Sequence, residues 1–183
     1  MNRGSPRVRI VGIGNKYRGD DGAGLAVAQC LRGKLPSGIT IIEETGEGTS
    51  LLETWKAADF IILVDAIQSG SSPGAIRRMD LSKEKLPREI FSHSSHAFGI
   101  AAAIHLARAL NELPRSLVLY GIEGRNFAAN DTFSPEVKKA ISTCAAQIQA
   151  EVEMARGQGT SPSNRKSRRG NRFRPKSSKR RNQ

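Results

Sequence analysis

The chain is poor in the residues that crosslink, coordinate soft metals or span bilayers. Its only two cysteines in 183 residues, Cys30 and Cys144, are far apart and form no C-x-x-C. That excludes a disulfide-stapled scaffold and a paired-cysteine metal site, and makes a reducing cytoplasm the expected home. Both thiols fall in helix-like segments, where a cysteine serves as a small packing group. No stretch approaches the ~18 consecutive apolar residues that a bilayer span requires. The start, MNRGSPRVRIVGIG, has neither a long apolar core nor a small-residue cleavage site, so no signal peptide is expected. H-E-x-x-H and Walker A motifs are absent.

Acid is also missing, but only locally. Residues 156–183 hold 11 of the 29 Lys and Arg and no Asp or Glu, which leaves 18 basic against 17 acidic residues before them. The net charge of +12 therefore belongs to an appendage, and the body is nearly neutral. Beyond Arg156 the composition is mainly Arg, Lys, Ser, Gly, Asn and Pro with a single aromatic, Phe173. Such a segment buries too little apolar area to offset chain entropy. The sequence thus divides into one α/β domain over residues 1–154 and a basic, disordered tail over 155–183. A tail of this kind can grip nucleic acid or an acidic partner by counterion release. A solvated extension with no partner is the simpler reading.

Strand and helix signals alternate along the body. Val8–Ile13 is apolar, β-branched and closed by glycines, which suits a buried strand. Residues 25–31 read as a helix, 39–44 as a strand and 50–57 as a short helix. Residues 60–65, FIILVD, give the strongest strand, a continuous apolar run ending in an acid. Residues 75–79 suit an edge strand, and 80–95 are polar and irregular. Residues 96–110 read as a helix with Ile100, Ile104 and Ala107 inward, and 116–122 as another strand. Ser134-Pro135-Glu136 is a helix start, with the helix fading after Met154. The alternation predicts a three-layer α/β sandwich, with a twisted, mostly parallel five-stranded sheet between helices.

Ligands of open α/β sheets collect beyond the carboxyl ends of the strands, which selects three places. The first is the loop GIGNKYRGDDGAG at residues 12–24. Its Gly12-x-Gly14 suggests a phosphate loop, but Tyr17 takes the place of the third glycine. Asp20 and Asp21 would repel an anion from the helix N-terminus that otherwise attracts it. The loop suits a cation, and one of the two acids can cap the helix while the other projects. The second place is Asp65, an acid ending a buried strand, where a carboxylate needs a partner. The third is His96, which shares a helix face with Ile100 and Ile104. The dipole at that helix start favours a neutral ring, available as a metal ligand. His93 competes for the role, and His105 falls on a different, outer face. Ser94 and Ser95 carry no weight, because a triad is defined in space. Two carboxylates and one imidazole suit a divalent transition metal, with positions left open for substrate.

These residues resemble the hydrogenase maturation proteases. GIGNKYRGDDGAG, LVDAIQSGSSPG, SSHAFGI and LYGIEG…FSPEV follow the family's order over residues 8 to 150. The resemblance implies a twisted sheet between helices. It also implies an endopeptidase that removes a C-terminal extension from the large-subunit precursor of a nickel-containing hydrogenase, once nickel is inserted. By motif position the family's metal-sensing acid, aspartate and histidine fall on Asp21, Asp65 and His96, which are also its expected catalytic set. Nickel would arrive with the precursor, and another divalent metal is the alternative occupant in isolation. Whether the metal polarises the scissile carbonyl or acts only in recognition stays open. Lys16 stands where many members have proline, and the basic tail has no counterpart in the pattern. Peptidyl-tRNA hydrolases also open with a strand and a G-x-G-N loop. Their catalytic histidine follows that loop, whereas this chain has none before His93.

Overall fold

The computed structural model describes residues 6–56, 58–84 and 96–159. Residues 85–95, with the rival ligand His93, and the basic stretch from 160 onward lie outside the described residues. The elements in chain order are β1 (Val8–Ile13), α1 (Ala23–Leu31), β2 (Ile39–Glu44), α2 (Gly48–Trp55), β3 (Phe60–Ile67), β4 (Ile76–Asp80), α3 (Ala97–Ala109), β5 (Ser116–Glu123) and α4 (Pro135–Gly159). A 3-10 turn at Gly19–Gly22 precedes α1.

The five strands form one sheet in the order β2-β1-β3-β5-β4. All neighbours run parallel except β4, which pairs antiparallel with β5 at the edge. Every residue of β3 is buried, as the apolar run FIILVD requires of a central strand covered on both faces. Alternate residues of a strand face opposite sides. Phe60, Ile62 and Val64 accordingly join Val27 and Leu31 of α1 and Val137 and Ile148 of α4 in one core. Ile61, Leu63 and Ile67 join Leu51 and Trp55 of α2 and Ile100 and Ile104 of α3 in the other. This is the expected three-layer sandwich. Cys144 is fully buried and Cys30 packs at the edge of the same core, so both thiols act as packing groups. Burial pushes the Cys144 thiol up to about 12.

At the β4 edge, Arg78 binds both carboxylate oxygens of Glu151 on α4, at 2.8 and 2.6 Å. The Tyr120 hydroxyl donates to the same carboxylate at 2.6 Å. These charge-assisted bonds tie the antiparallel edge to the long helix.

Most boundaries shift by one or two residues from the sequence expectation, and three of the shifts have a visible cause or consequence. β3 continues two residues past Asp65, because its pairing with β5 persists to Ile67 and Glu123 after β1 has ended. Asp65 therefore sits within the strand. The helix expected from residue 25 begins at Ala23, directly after the 3-10 turn. The last helix does not fade at Met154 but runs to Gly159. Ala155 packs against the core, and Arg156 donates to the Ser37 carbonyl at 3.1 Å.

Glycines bring α1 onto the strands. A Cβ on Gly24 would lie 2.2 Å from the Val64 carbonyl oxygen and 2.3 Å from that of Ile13, and one on Gly12 would lie 2.4 Å from the Gly24 oxygen. The apparent phosphate-loop glycine at position 12 thus serves helix–strand packing. Gly24→Ala must push α1 off the sheet and should cost about 1–3 kcal/mol. The check is the urea midpoint, which should fall with an unchanged slope; an unaltered midpoint would contradict the close approach.

Candidate active site

The sheet reverses its winding at β1, with β2 on one side and β3 on the other. Such a switch point opens a crevice beyond the carboxyl ends of the two central strands. The 3-10 turn that follows β1 carries Asp20 and Asp21 on this rim. In a 3-10 turn successive side chains diverge by about 120°, so the two acids face different partners.

Asp20 is fully buried and structural. Its carboxylate accepts from the backbone N–H groups of Arg125 (2.8 Å), Asn126 (2.9 Å) and Ser134 (2.7 Å), and from the Ser134 hydroxyl (2.9 Å). One side chain thereby fastens the first loop to both ends of the loop between β5 and α4. Burial alone would raise its pKa, but the four hydrogen bonds win and hold it below the ordinary aspartate range. Neither acid caps its own helix, contrary to the sequence expectation: no side-chain capping bond closes the 3-10 turn or α1. Ser134 likewise gives its hydroxyl to Asp20.

Asp21 points the other way. Its Oδ2 lies 3.1 Å from His96 Nε2, across 75 residues of sequence. Both are buried, with 2 and 8% of their surfaces exposed. His96 occupies the residue before α3, where the chain enters the helix. Its position depends on the turn after β2, at Thr45 and Gly46. A Cβ on Gly46 would meet His96 Nδ1 at 2.7 Å, and Gly46 adopts φ +83, which disfavours any other residue. Gly99 approaches the same turn closely, so that a Cβ there would lie 1.9 Å from the Gly46 oxygen.

Asp65 is 1% exposed, and its Oδ1 accepts from the Ala66 N–H at 2.9 Å. It has the strand parity of Leu63 and Ile67, hence faces the α2/α3 layer whose helix starts at His96. Its charge acts on the imidazole. Burial works to lower the His96 pKa, but the Asp21 hydrogen bond, the Asp65 and Asp21 charges and the Thr45 backbone together raise it. The two carboxylates thus act against the helix dipole, which favours a neutral ring. His105 is exposed on the outer face, as expected. Among the described residues no three His, Cys, Asp or Glu side chains already stand in metal-holding array. The three residues form a hydrogen-bonded pair with a third charge beside it.

The sequence carried no mark of the Thr45–Gly46 turn that seats His96. The signal available was its place, a glycine-rich E-T-G-E-G-T run following a strand at the same end of the sheet.

Residues 26–151 match the family of hydrogenase maturation proteases. That span includes Asp65 and His96 and begins just after Asp21. The chain is 32% identical over 152 residues to a putative hydrogenase maturation protease of Methanocaldococcus jannaschii, covering 80% of this chain and 96% of that one. It is 26% identical over 145 residues to the hydrogenase expression/formation protein HupD of Thiocapsa roseopersicina, covering 76% of this chain and 65% of the relative. The chain spans about three-fifths of the length of two further relatives of this kind. The fold superimposes on the hydrogenase-maturating endopeptidase HybD of Escherichia coli with a TM-score of 0.72 and 25% identity, over 81% of this chain and 93% of that one.

Removing the Asp20 carboxylate strands three backbone N–H donors and the Ser134 hydroxyl. Asp20→Ala should cost on the order of 3 kcal/mol. Because folding lowers the Asp20 pKa, its contribution is present above the unfolded value near about 3.9 and fades as pH falls through the folded one. Urea titrations of both proteins should show a gap at pH 7 that narrows below about pH 4; a gap independent of pH would refute the ionic role.

Proposed function

The chain belongs to the hydrogenase maturation protease family, and from that premise we propose that it is an endopeptidase acting on a hydrogenase large-subunit precursor. It removes the precursor's C-terminal extension after nickel insertion, and Asp21, Asp65 and His96 recognise the nickel that the precursor carries. The observation that supports this reading is the convergence of the three side chains at the sheet's switch point, buried yet rimming the crevice.

Carboxylate oxygens and an imidazole nitrogen form a donor set suited to a divalent transition metal. Engaging it would exchange the His96–Asp21 hydrogen bond for bonds to the metal, with the Thr45 backbone keeping the ring oriented from its other side. Burial strengthens each charge interaction by excluding water. A metal held by these residues would supply Lewis-acid chemistry when bound.

Incubating nickel-loaded and nickel-free precursor with the protein, and following the mass loss of the extension, tests the proposal. The loaded form should be cut and the empty form left intact. Equal cleavage of both would defeat nickel recognition, and no cleavage of either would defeat the processing reading. Asp65→Asn and His96→Ala should each lower processing by at least about 100-fold while melting cooperatively. Full activity in both variants would show that the site lies elsewhere.

A further inference from the structure

Four acids are buried among the described residues: Asp20, Asp21, Asp65 and Glu123. Asp20 fastens the first loop, and Asp21 and Asp65 act on His96. Glu123, 4% exposed, ends β5 close to the site but belongs to neither group. In the β3–β5 ladder Asp65 pairs with Gly121, Ala66 with Ile122 and Ile67 with Glu123. Paired residues point to one face of a sheet, as do alternate residues along a strand. The Glu123 side chain therefore stands on the face that carries Asp65.

Both oxygens of this carboxylate are engaged. Oε1 accepts from the N–H groups of Ser69 and Gly70, each at 2.9 Å. Oε2 accepts from the Ser69 N–H at 3.0 Å and from its hydroxyl at 2.7 Å. Bonds to an ionised acceptor are the strong kind. The backbone of the same residue holds the far end of the connection between β3 and β4. Gly74 N–H donates to the Glu123 carbonyl and Glu123 N–H to that of Ala75, both at 2.8 Å. One residue thus closes this loop from both sides.

The strand end that this closure secures is the one bearing Asp65. β1 pairs with β3 only as far as Gly12 and Val64, so Asp65–Ile67 has β5 as its one strand neighbour among the described residues. A strand end held on one side opens locally at low cost. Opening from the loop would release Ile67, then Ala66, then Asp65. Capture of Ser69 and Gly70 by Glu123, together with the Gly124 N–H on the Ile67 carbonyl at 2.9 Å, fixes the last rung. The fit is close: a Cβ on Gly121, the partner of Asp65, would lie 2.7 Å from Ile67 Cδ1. A shift of Ile67 therefore reaches the rung that carries Asp65. We propose that Glu123 is the positioning residue of Asp65. By clamping the Ser69–Gly70 turn it keeps the aspartate aimed at the crevice, with no contact of its own to metal or precursor. Its effect on activity rests on the processing reading above, whereas its effect on the strand does not.

Glu123→Ala and Glu123→Gln test the clamp by three measurements: amide hydrogen exchange, broadening of the His96 ring signal by Ni(II), and precursor processing. Alanine removes the clamp, while glutamine gives up the charge but keeps an acceptor for the Ser69 and Gly70 N–H groups. Two amides report locally: Ala66, bonded to the Asp65 carboxylate, and Gly124, bonded to Ile67. In Glu123→Ala both should exchange at least about tenfold faster, with the β1 amides unchanged. Nickel affinity and kcat/KM should each fall about 10- to 100-fold, the usual size for a group that orients a ligand. Glu123→Gln should return all three to within about threefold of wild type. Wild-type exchange, nickel affinity and processing in Glu123→Ala would overturn the clamp. Glutamine as impaired as alanine, with its amides protected, would overturn it too, because Glu123 would then act through its charge. Should Glu123→Ala not fold, Ser69→Ala removes one arm of the clamp at a half-buried loop position. It should show the same effects at about threefold, and no effect there overturns the proposal. If the wild-type protein does not cut the precursor, the processing reading fails, and the exchange and nickel measurements still decide whether Glu123 places Asp65.

Discussion

A carboxylate taken out of water must find hydrogen bonds or a counter-charge, and the carboxyl edge of this sheet is organised around that requirement. Asp20, Asp21 and Asp65 are all essentially inaccessible to solvent. Asp20 meets the demand with four donors from a single loop. Asp21 meets it with an imidazole brought from the far side of the fold. Because the two are adjacent, fastening the first also aims the second. Glycines complete the constraint: Gly24 lets α1 approach the strands, and Gly46 leaves room for the His96 ring.

The acid satisfied within the protein and the acid proposed to meet the metal are therefore neighbours in the chain. Asp20 is satisfied entirely within the protein, and its lowered pKa reflects that. Asp21, Asp65 and His96 instead place two negative charges around one ring, an arrangement whose balance a cation arriving from outside would alter. The basic surplus belongs in sequence to residues 156–183, whereas the site's informative charges are negative.

Much of this was legible in the sequence because the signals were local. The β-branched run at Val8–Ile13 and the acid in FIILVD each report a buried strand and a polar break in it. The spacing of His96, Ile100 and Ile104 puts the histidine inward through helix geometry alone. What failed was decided between elements. β3 outlasts its acid because β5 keeps pairing with it, which no property of FIILVD announces. Asp20 looks like a helix cap in sequence, yet its partners lie more than 100 residues away. The upward pull on the His96 pKa comes from Asp21, Asp65 and Thr45, none of them neighbours in the chain.

The central claim is that Asp21, Asp65 and His96 together bind a divalent metal presented to the crevice. Histidine ring resonances followed during addition of Ni(II) test it most directly, since the paramagnetic ion broadens only the nuclei near it. The account predicts selective loss of the His96 signal at low nickel, with exposed His105 retained and the loss abolished in Asp65→Asn. A His96 resonance that stays sharp while other signals broaden would contradict it.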